Sequence, residues 1–208
     1  MRHEERPLPL LVLASASPRR VALLEMLGLP FVQRPSTAEA PLVDGAVDPS
    51  AWTRQQALAK ARDVAATLTS GLVIGADTVV VLDGQVFGKP RDREHAAWML
   101  ARLSGRRHEV VTGVAVVDAA SGRAEVASTI THVWMRPLSQ REIDAYIATG
   151  EPMDKAGAYA IQGLGATLVP RIEGCYFNVV GLPLSLLADL LARFGIHVLN
   201  GHRREVRA

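Results

Sequence analysis

Apolar residues along this chain change period several times, and each change marks an element. Leu10–Ala14 is an unbroken apolar run that predicts a buried strand. Val21, Leu24 and Leu27 then recur at helical spacing behind Ser17-Pro18, with Ser17 suited to the N-cap and Pro18 to the first helical position. Pro30–Arg34 reads as a short extended segment and Pro35–Pro49 as a long polar loop. From Ser50 to Leu68 the helical period returns through Ala57, Ala61, Val64, Ala65 and Leu68, with Gly71 to end it. Leu72–Leu82 is rich in Val and Ile and predicts a buried strand, interrupted at Gly75-Ala76-Asp77-Thr78. Asp83-Gly84 then turns the chain into a hairpin onto Gln85–Phe87.

A helix is predicted over Asp92–Leu103, with Ala96, Met99, Leu100 and Leu103 on one face. Glu109–Val117 and Glu125–Met135 read as paired antiparallel strands joined near Ser121-Gly122. Ser139 and Glu142 form a capping-box pattern ahead of Ile143, Tyr146 and Ile147, in a helix that should stop near Gly150. The glycine-rich stretch Gly157–Gly165 precedes a predicted short strand at Ala166–Val169. Pro183 begins the last helix, with Leu184, Leu187, Leu191 and Phe194 inward and Gly195 as its terminator. Helices mixed with hairpin strands predict an α/β class with a mixed, partly antiparallel twisted sheet, rather than the regular βαβ alternation of a doubly wound nucleotide fold. Neither G-x-G-x-x-G nor G-x-x-x-x-G-K-[ST] occurs, which removes most support for dehydrogenase or kinase chemistry.

Composition narrows the partners. The 208 residues fit one domain, or two closely packed lobes, with a sizeable core. A net charge of +2 and 5% aromatic residues provide neither a strongly basic face nor broad stacking platforms, so stable nucleic-acid binding is not expected. The single cysteine, Cys175, excludes an intrachain disulfide framework and a cysteine-rich zinc site. The run Leu8–Ala14 is too short to span a bilayer and holds Pro9, so neither a signal peptide nor a membrane span is expected, and the cytoplasm is the default location.

The strand, serine-containing turn and basic helix start at Ser15-Ala16-Ser17-Pro18-Arg19-Arg20 have the form of a phosphate seat. Two arginines beside a positive helix terminus cost a few tenths of a kcal/mol, roughly, unless an anion binds; two solvated arginines are the alternative. Asp77 interrupts an otherwise apolar strand and must be paired, hydrogen-bonded or metal-bound if buried. It is a candidate proton acceptor or metal ligand, or else lies with Thr78 at a solvent-facing bulge marked by Gly75. Lys89, in Gly88-Lys89-Pro90, is either aimed at a point charge or an ordinary exposed lysine. Lys60 borders an apolar stripe and by local pattern alone snorkels over the core edge. Gln162 offers a paired donor and acceptor suited to a base edge, or else satisfies loop backbone groups. The six histidines show no metal-like spacing, and His132 reads as structural.

Taken in order, these segments resemble the Maf family of nucleoside triphosphate pyrophosphatases. The resemblance runs from about Leu10 to about Phe194 and rests on Leu13–Arg20, Leu58-Ala59-Lys60-Ala61, Gly75–Val80, Gly88-Lys89-Pro90, Ser104-Gly105 and Thr112-Gly113-Val114. It continues through Asp154–Gly163, Ile172-Glu173-Gly174 and Asn178–Pro183. It implies a single catalytic domain over 10–195, with an N-terminal extension at 1–9 and a tail at 196–208, and two lobes around a cleft. It further implies hydrolysis of a nucleoside triphosphate between its α and β phosphates. Asp77 would accept the proton of the attacking water near a divalent cation, Mg²⁺ or Mn²⁺, that Glu39 helps to hold, with Asp44 a substitute because the loop around Glu39 departs from the family pattern. Arg19, Lys60 and Lys89 would bind phosphates, with Ser15 and Ser17 in the same turn as substrate contacts. Arg19, Thr78 and Gln162 match the branch similar to enzymes acting on dTTP and UTP, and Gly-Ala-Asp-Thr argues against the 7-methyl-GTP branch. A homodimer is expected from the family alone. The rivals are a Maf enzyme of different base preference and a nucleotide-binding regulator of cell division.

Overall fold

The computed structural model describes residues 9–38 and 48–201. The sheet it contains is open and seven-stranded, as the mixed pattern predicts. Its strands are β1 (Leu11–Leu13), β2 (Phe31–Gln33), β3 (Leu72–Leu82), β4 (Gln85–Phe87), β5 (Arg107–Asp118), β6 (Ala124–Trp134) and β7 (Arg171–Glu173). They lie in the order β2-β1-β3-β5-β6-β7, with β4 also paired to β3. Only the β1–β2 and β1–β3 ladders are parallel; the others are antiparallel.

β3 is the axis of the molecule. Along one edge it pairs with β5 from Leu72 to Val81 without a break. Along the other, β1 takes Leu72–Ile74 and β4 takes Val80–Leu82, so Gly75–Val79 has no strand partner on that side among the described residues. The interruption expected at Gly75–Thr78 is therefore absent from β3 itself, which is continuous, and present in its neighbours. Into this opening run the chain leaving β1 toward α1 (Pro18–Glu25) and the chain leaving β4 at Gly88-Lys89.

Alternation of side chains along a strand sends consecutive residues of β3 to opposite faces. On one face α2 (Pro49–Ala65) packs through Ala57, Ala61, Val64 and Ala65 against Val12, Val73, Ala115 and Val117. Asp48 caps that helix, its carboxylate accepting from Ser50 N at 2.9 Å, so the helix starts one residue before the predicted Ser50. The opposite face carries two hydrophobic clusters. One joins α1, the first half of β3 and α6 (Leu184–Ala192), with Leu187, Leu190 and Leu191 buried. The other joins the second half of β3 and β4 to α3 (Arg93–Leu103) and α4 (Gln140–Ala148). The α3 face is the predicted one, with Ala96, Met99, Leu100 and Leu103 all buried. The α4 capping box is complete, and it holds the Glu142 carboxyl down at about 2 through bonds from the Ser139 backbone, Arg136 and the Ser139 hydroxyl.

Two local expectations are corrected. Ala166–Val169 is not a strand: Gly163–Leu168 forms a 3₁₀ turn, and the strand lies at Arg171–Glu173. A five-residue helix, α5 (Tyr176–Val180), stands between that strand and the last helix, where the pattern predicts no element. Ile196, beyond the last predicted helix, is buried in the α6 cluster.

Candidate active site

The opening beside Gly75–Val79 leads into a cavity of about 400 Å³ between the two clusters. Val80, Val110 and Tyr159 line it from one cluster and Val180 from the other. Of the candidates named from sequence, Ser15, Ser17, Arg19, Lys60, Thr78, Lys89 and Gln162 all line this cavity. They come from the β1–α1 turn, α1, α2, β3, the β4–α3 loop and the loop after α4, and the interrupted edge of β3 brings them together.

Asp77 faces α2. Lys60 Nζ donates to its Oδ1 at 2.6 Å, with both side chains about five-sixths buried (16% and 17% exposed). The solvent-facing bulge is thereby excluded, and Lys60 is a partner of Asp77 rather than a snorkelling edge residue. Asp77 is not itself in the cavity lining; Lys60, which is, stands beside it. Gly75, the supposed bulge marker, instead lets α2 approach, since a Cβ there would lie 2.2 Å from Ala57 O.

Thr78, one step along, points to the other face. Arg20 donates to its hydroxyl at 3.0 Å, and Thr112 Oγ1 lies 2.9 Å away. Arg20 also donates through Nε to Gly181 O at 2.8 Å and through its Nη1 to Ser15 Oγ at 3.4 Å. Desolvation lowers the Arg20 guanidinium from its ordinary pKa, Asp77 opposes that shift and Arg19 adds to it. Arg19 reaches the opposite way, with Nη1 2.8 Å from Asp154 Oδ2. Lys155 donates to the other Asp154 oxygen at 2.6 Å. Desolvation of Asp154 works the other way, yet the bonds from Lys155 and Arg19 hold its carboxyl at about 2. Ser17 occupies the N-cap position of α1 without a capping bond from its side chain; its N–H donates to Ser15 Oγ at 3.2 Å. Lys89 is exposed and, among the described residues, has no ion-pair partner. Glu39 and Asp44 lie outside the described residues.

Gln162 is exposed on the loop between α4 and β7. Glu151 ties that loop down, accepting from Tyr146 Oη at 2.8 Å, Gly165 N at 2.9 Å and Leu164 N at 3.0 Å. Behind it, Tyr159 Oη and His108 Nε2 are 2.7 Å apart in the core. Sequence reasoning gave no role to Glu151, Asp154, Lys155 or Thr112. Asp154–Gly163 and Thr112-Gly113-Val114 carry the family resemblance, but a motif does not say which distant residue each side chain meets.

The family model for "Maf-like protein" matches residues 10–194, and the chain belongs to that family. It is 58% identical over 188 residues to a protein of Moorella thermoacetica named dTTP/UTP pyrophosphatase, covering 90% of this chain and 96% of that one. A protein of the same name from Pelotomaculum thermopropionicum is 54% identical over 190 residues, covering 91% and 98%. A third, from Symbiobacterium thermophilum, is 50% identical over 192 residues, covering 92% and 97%.

Proposed function

We propose that this chain hydrolyses pyrimidine nucleoside triphosphates of the dTTP and UTP type between the α and β phosphates, releasing the monophosphate and pyrophosphate. The observation that carries the reading is one cavity in which Arg19, Lys60 and Lys89 converge beside a largely buried Asp77. A triphosphate brings several negative charges into one place, and three cations from separate elements answer that demand. The names of the relatives, at 50–58% identity over nine-tenths of the chain, point to the same substrates.

In this reading Asp77 accepts the proton of the attacking water, and Lys60 fixes the direction in which its carboxylate points. Arg19 exchanges Asp154 for a phosphate oxygen, and Lys89 meets another. Charge developing on the departing pyrophosphate is stabilised by these groups already held in place. Base choice falls to the neutral hydrogen-bonders Thr78 and Gln162.

A divalent cation fits the donor chemistry. Asp77 supplies a hard carboxylate oxygen, and Mg²⁺ commonly binds through one or two carboxylates together with substrate phosphates. In this reading Asp77, the Glu39 carboxylate and the substrate's phosphates would hold the ion; among the described residues no group of three His, Cys, Asp or Glu is placed to hold one. When bound, it would neutralise charge on the triphosphate. No helix among the described residues is long and apolar enough to cross a membrane.

Pyrophosphate release measured across a panel of triphosphates with Mg²⁺ or Mn²⁺ tests the proposal, with dTTP and UTP expected to lead. Asp77→Asn should lower turnover at least about 100-fold, the lower end for a proton-transfer group. Unchanged turnover in that variant would remove Asp77 as the base. Tight nucleotide binding without pyrophosphate release would favour the regulator instead.

A further inference from the structure

We propose that Thr112, buried in β5, is a positioning residue that fixes the proton of Thr78 away from the cavity, so that Thr78 meets the base only as a hydrogen-bond acceptor. The inference rests on the pyrimidine triphosphate reading and deepens it by naming the group on the base that is selected.

The direction of each proton follows from which groups can donate. A guanidinium has N–H donors and no acceptor, so in the 3.0 Å contact Arg20 donates and Thr78 Oγ1 accepts. At the far end, Thr112 Oγ1 lies 3.2 Å from Asn178 O, an acceptor-only carbonyl on a fully buried residue, and placing the Thr112 proton there spares that carbonyl the cost of losing its donor. Thr112 is fully buried and has no second proton to offer Thr78. With the Thr112 proton so placed, the 2.9 Å contact between the two hydroxyls is filled by the Thr78 proton. The chain reads Arg20 to Thr78 to Thr112 to the Asn178 carbonyl, every link donating the same way and polarising the next.

Its far end is anchored. Asn178 is fully buried, and its Nδ2 donates to Val110 O and to Thr131 Oγ1, each at 2.9 Å. Thr78 is left with one acceptor lone pair and no proton for a ligand. Arg20, whose side chain also lines the cavity, sets N–H donors beside that oxygen. An acceptor next to a donor complements an N–H next to a carbonyl. Uracil and thymine carry that arrangement in their imide, as N3–H flanked by two carbonyls. Cytosine presents a bare N3 acceptor, and two acceptors facing each other with no proton between them are costly to bury. A site built this way rejects the base lacking the N–H because its own polar group is left unpaired.

The test compares kcat/KM for UTP and CTP, and for dTTP and dCTP, in the wild type, Thr112→Val and Thr112→Ser. Valine keeps the volume but removes the acceptor, freeing the Thr78 proton to point at the ligand; serine keeps the relay. Thr112→Val should lower the UTP-over-CTP ratio at least about tenfold, while Thr112→Ser retains it within about twofold. Because each ratio is read within one preparation, a loss of folded protein cancels from it. An unchanged ratio in Thr112→Val, beside a wild type that prefers UTP, overturns the relay and leaves the pyrophosphatase reading standing. A wild type that releases no pyrophosphate from UTP or dTTP overturns both.

Discussion

Arg19 and Arg20 carry the same charge and share one helical turn, yet their guanidiniums serve different ends. Arg20 is spent on Gly181, Thr78 and Ser15, which sets its orientation before any ligand arrives. Arg19 is held by Asp154, whose side chain is 60% exposed, and an exposed pair of this kind contributes about 0–1 kcal/mol. A phosphate must displace that carboxylate, so Asp154→Asn should lower KM for UTP by up to about fivefold with kcat little changed; steady-state kinetics decide, and a raised KM would show Asp154 helping the ligand instead. Sequence could flag the two arginines as a charge cluster because capping rules act over a few residues. The family resemblance already singles out Arg19 for the phosphate, but local pattern alone could not separate the two, because Asp154 stands 135 positions from Arg19 and Gly181 stands 161 from Arg20.

At the scale of elements, what matters is how closely α2 lies on β3 and β5. The helix is lined with alanines on that side, and two strand glycines complete the fit: a Cβ on Gly75 would lie 2.2 Å from Ala57 O, and one on Gly113 would lie 2.3 Å from Thr53. Neither atom can be met without moving the helix that carries Lys60. Gly75→Ala should therefore destabilise the protein by about 3 kcal/mol or more, beyond ordinary overpacking because backbone must shift. Urea denaturation reads the loss, and retention of wild-type stability would contradict so close a fit. The main helices and strands were legible from period and caps, since each pattern is local. The 3₁₀ turn at Gly163–Leu168 was not, because its backbone is organised by the distant Glu151 carboxylate rather than by its own side chains. α5 was missed because a five-residue helix shows less than two turns of periodicity.

For the molecule as a whole, acid sensitivity should come partly from one histidine. His108 is 2% exposed, and burial pulls its imidazole from 6.5 down to about 4. The unfolded chain takes up that proton first, so stability is full above pH 6.5 and falls as pH drops toward about 4. The shift corresponds to about 3 kcal/mol across that window. Chemical denaturation at pH 7.5 and at pH 4.5 should show the loss in the wild type and a flatter profile in His108→Gln. Equal slopes in the two proteins would assign the acid sensitivity elsewhere.

A β-sheet usually insulates the layer above it from the layer below. Here β1 stops at Leu13 and β4 begins its pairing at Val80, and the unpaired edge between them is a window through the sheet. The cavity behind it is lined by Lys60 from the α2 layer and by Arg20, Val180 and Gly181 from the α1–α5 layer. Whatever fills the window becomes a shared part of two layers that lie on opposite faces of the sheet. Nucleotide binding should thus act as a clamp on the entire domain, slowing hydrogen exchange in α2 and α5 together rather than in either alone.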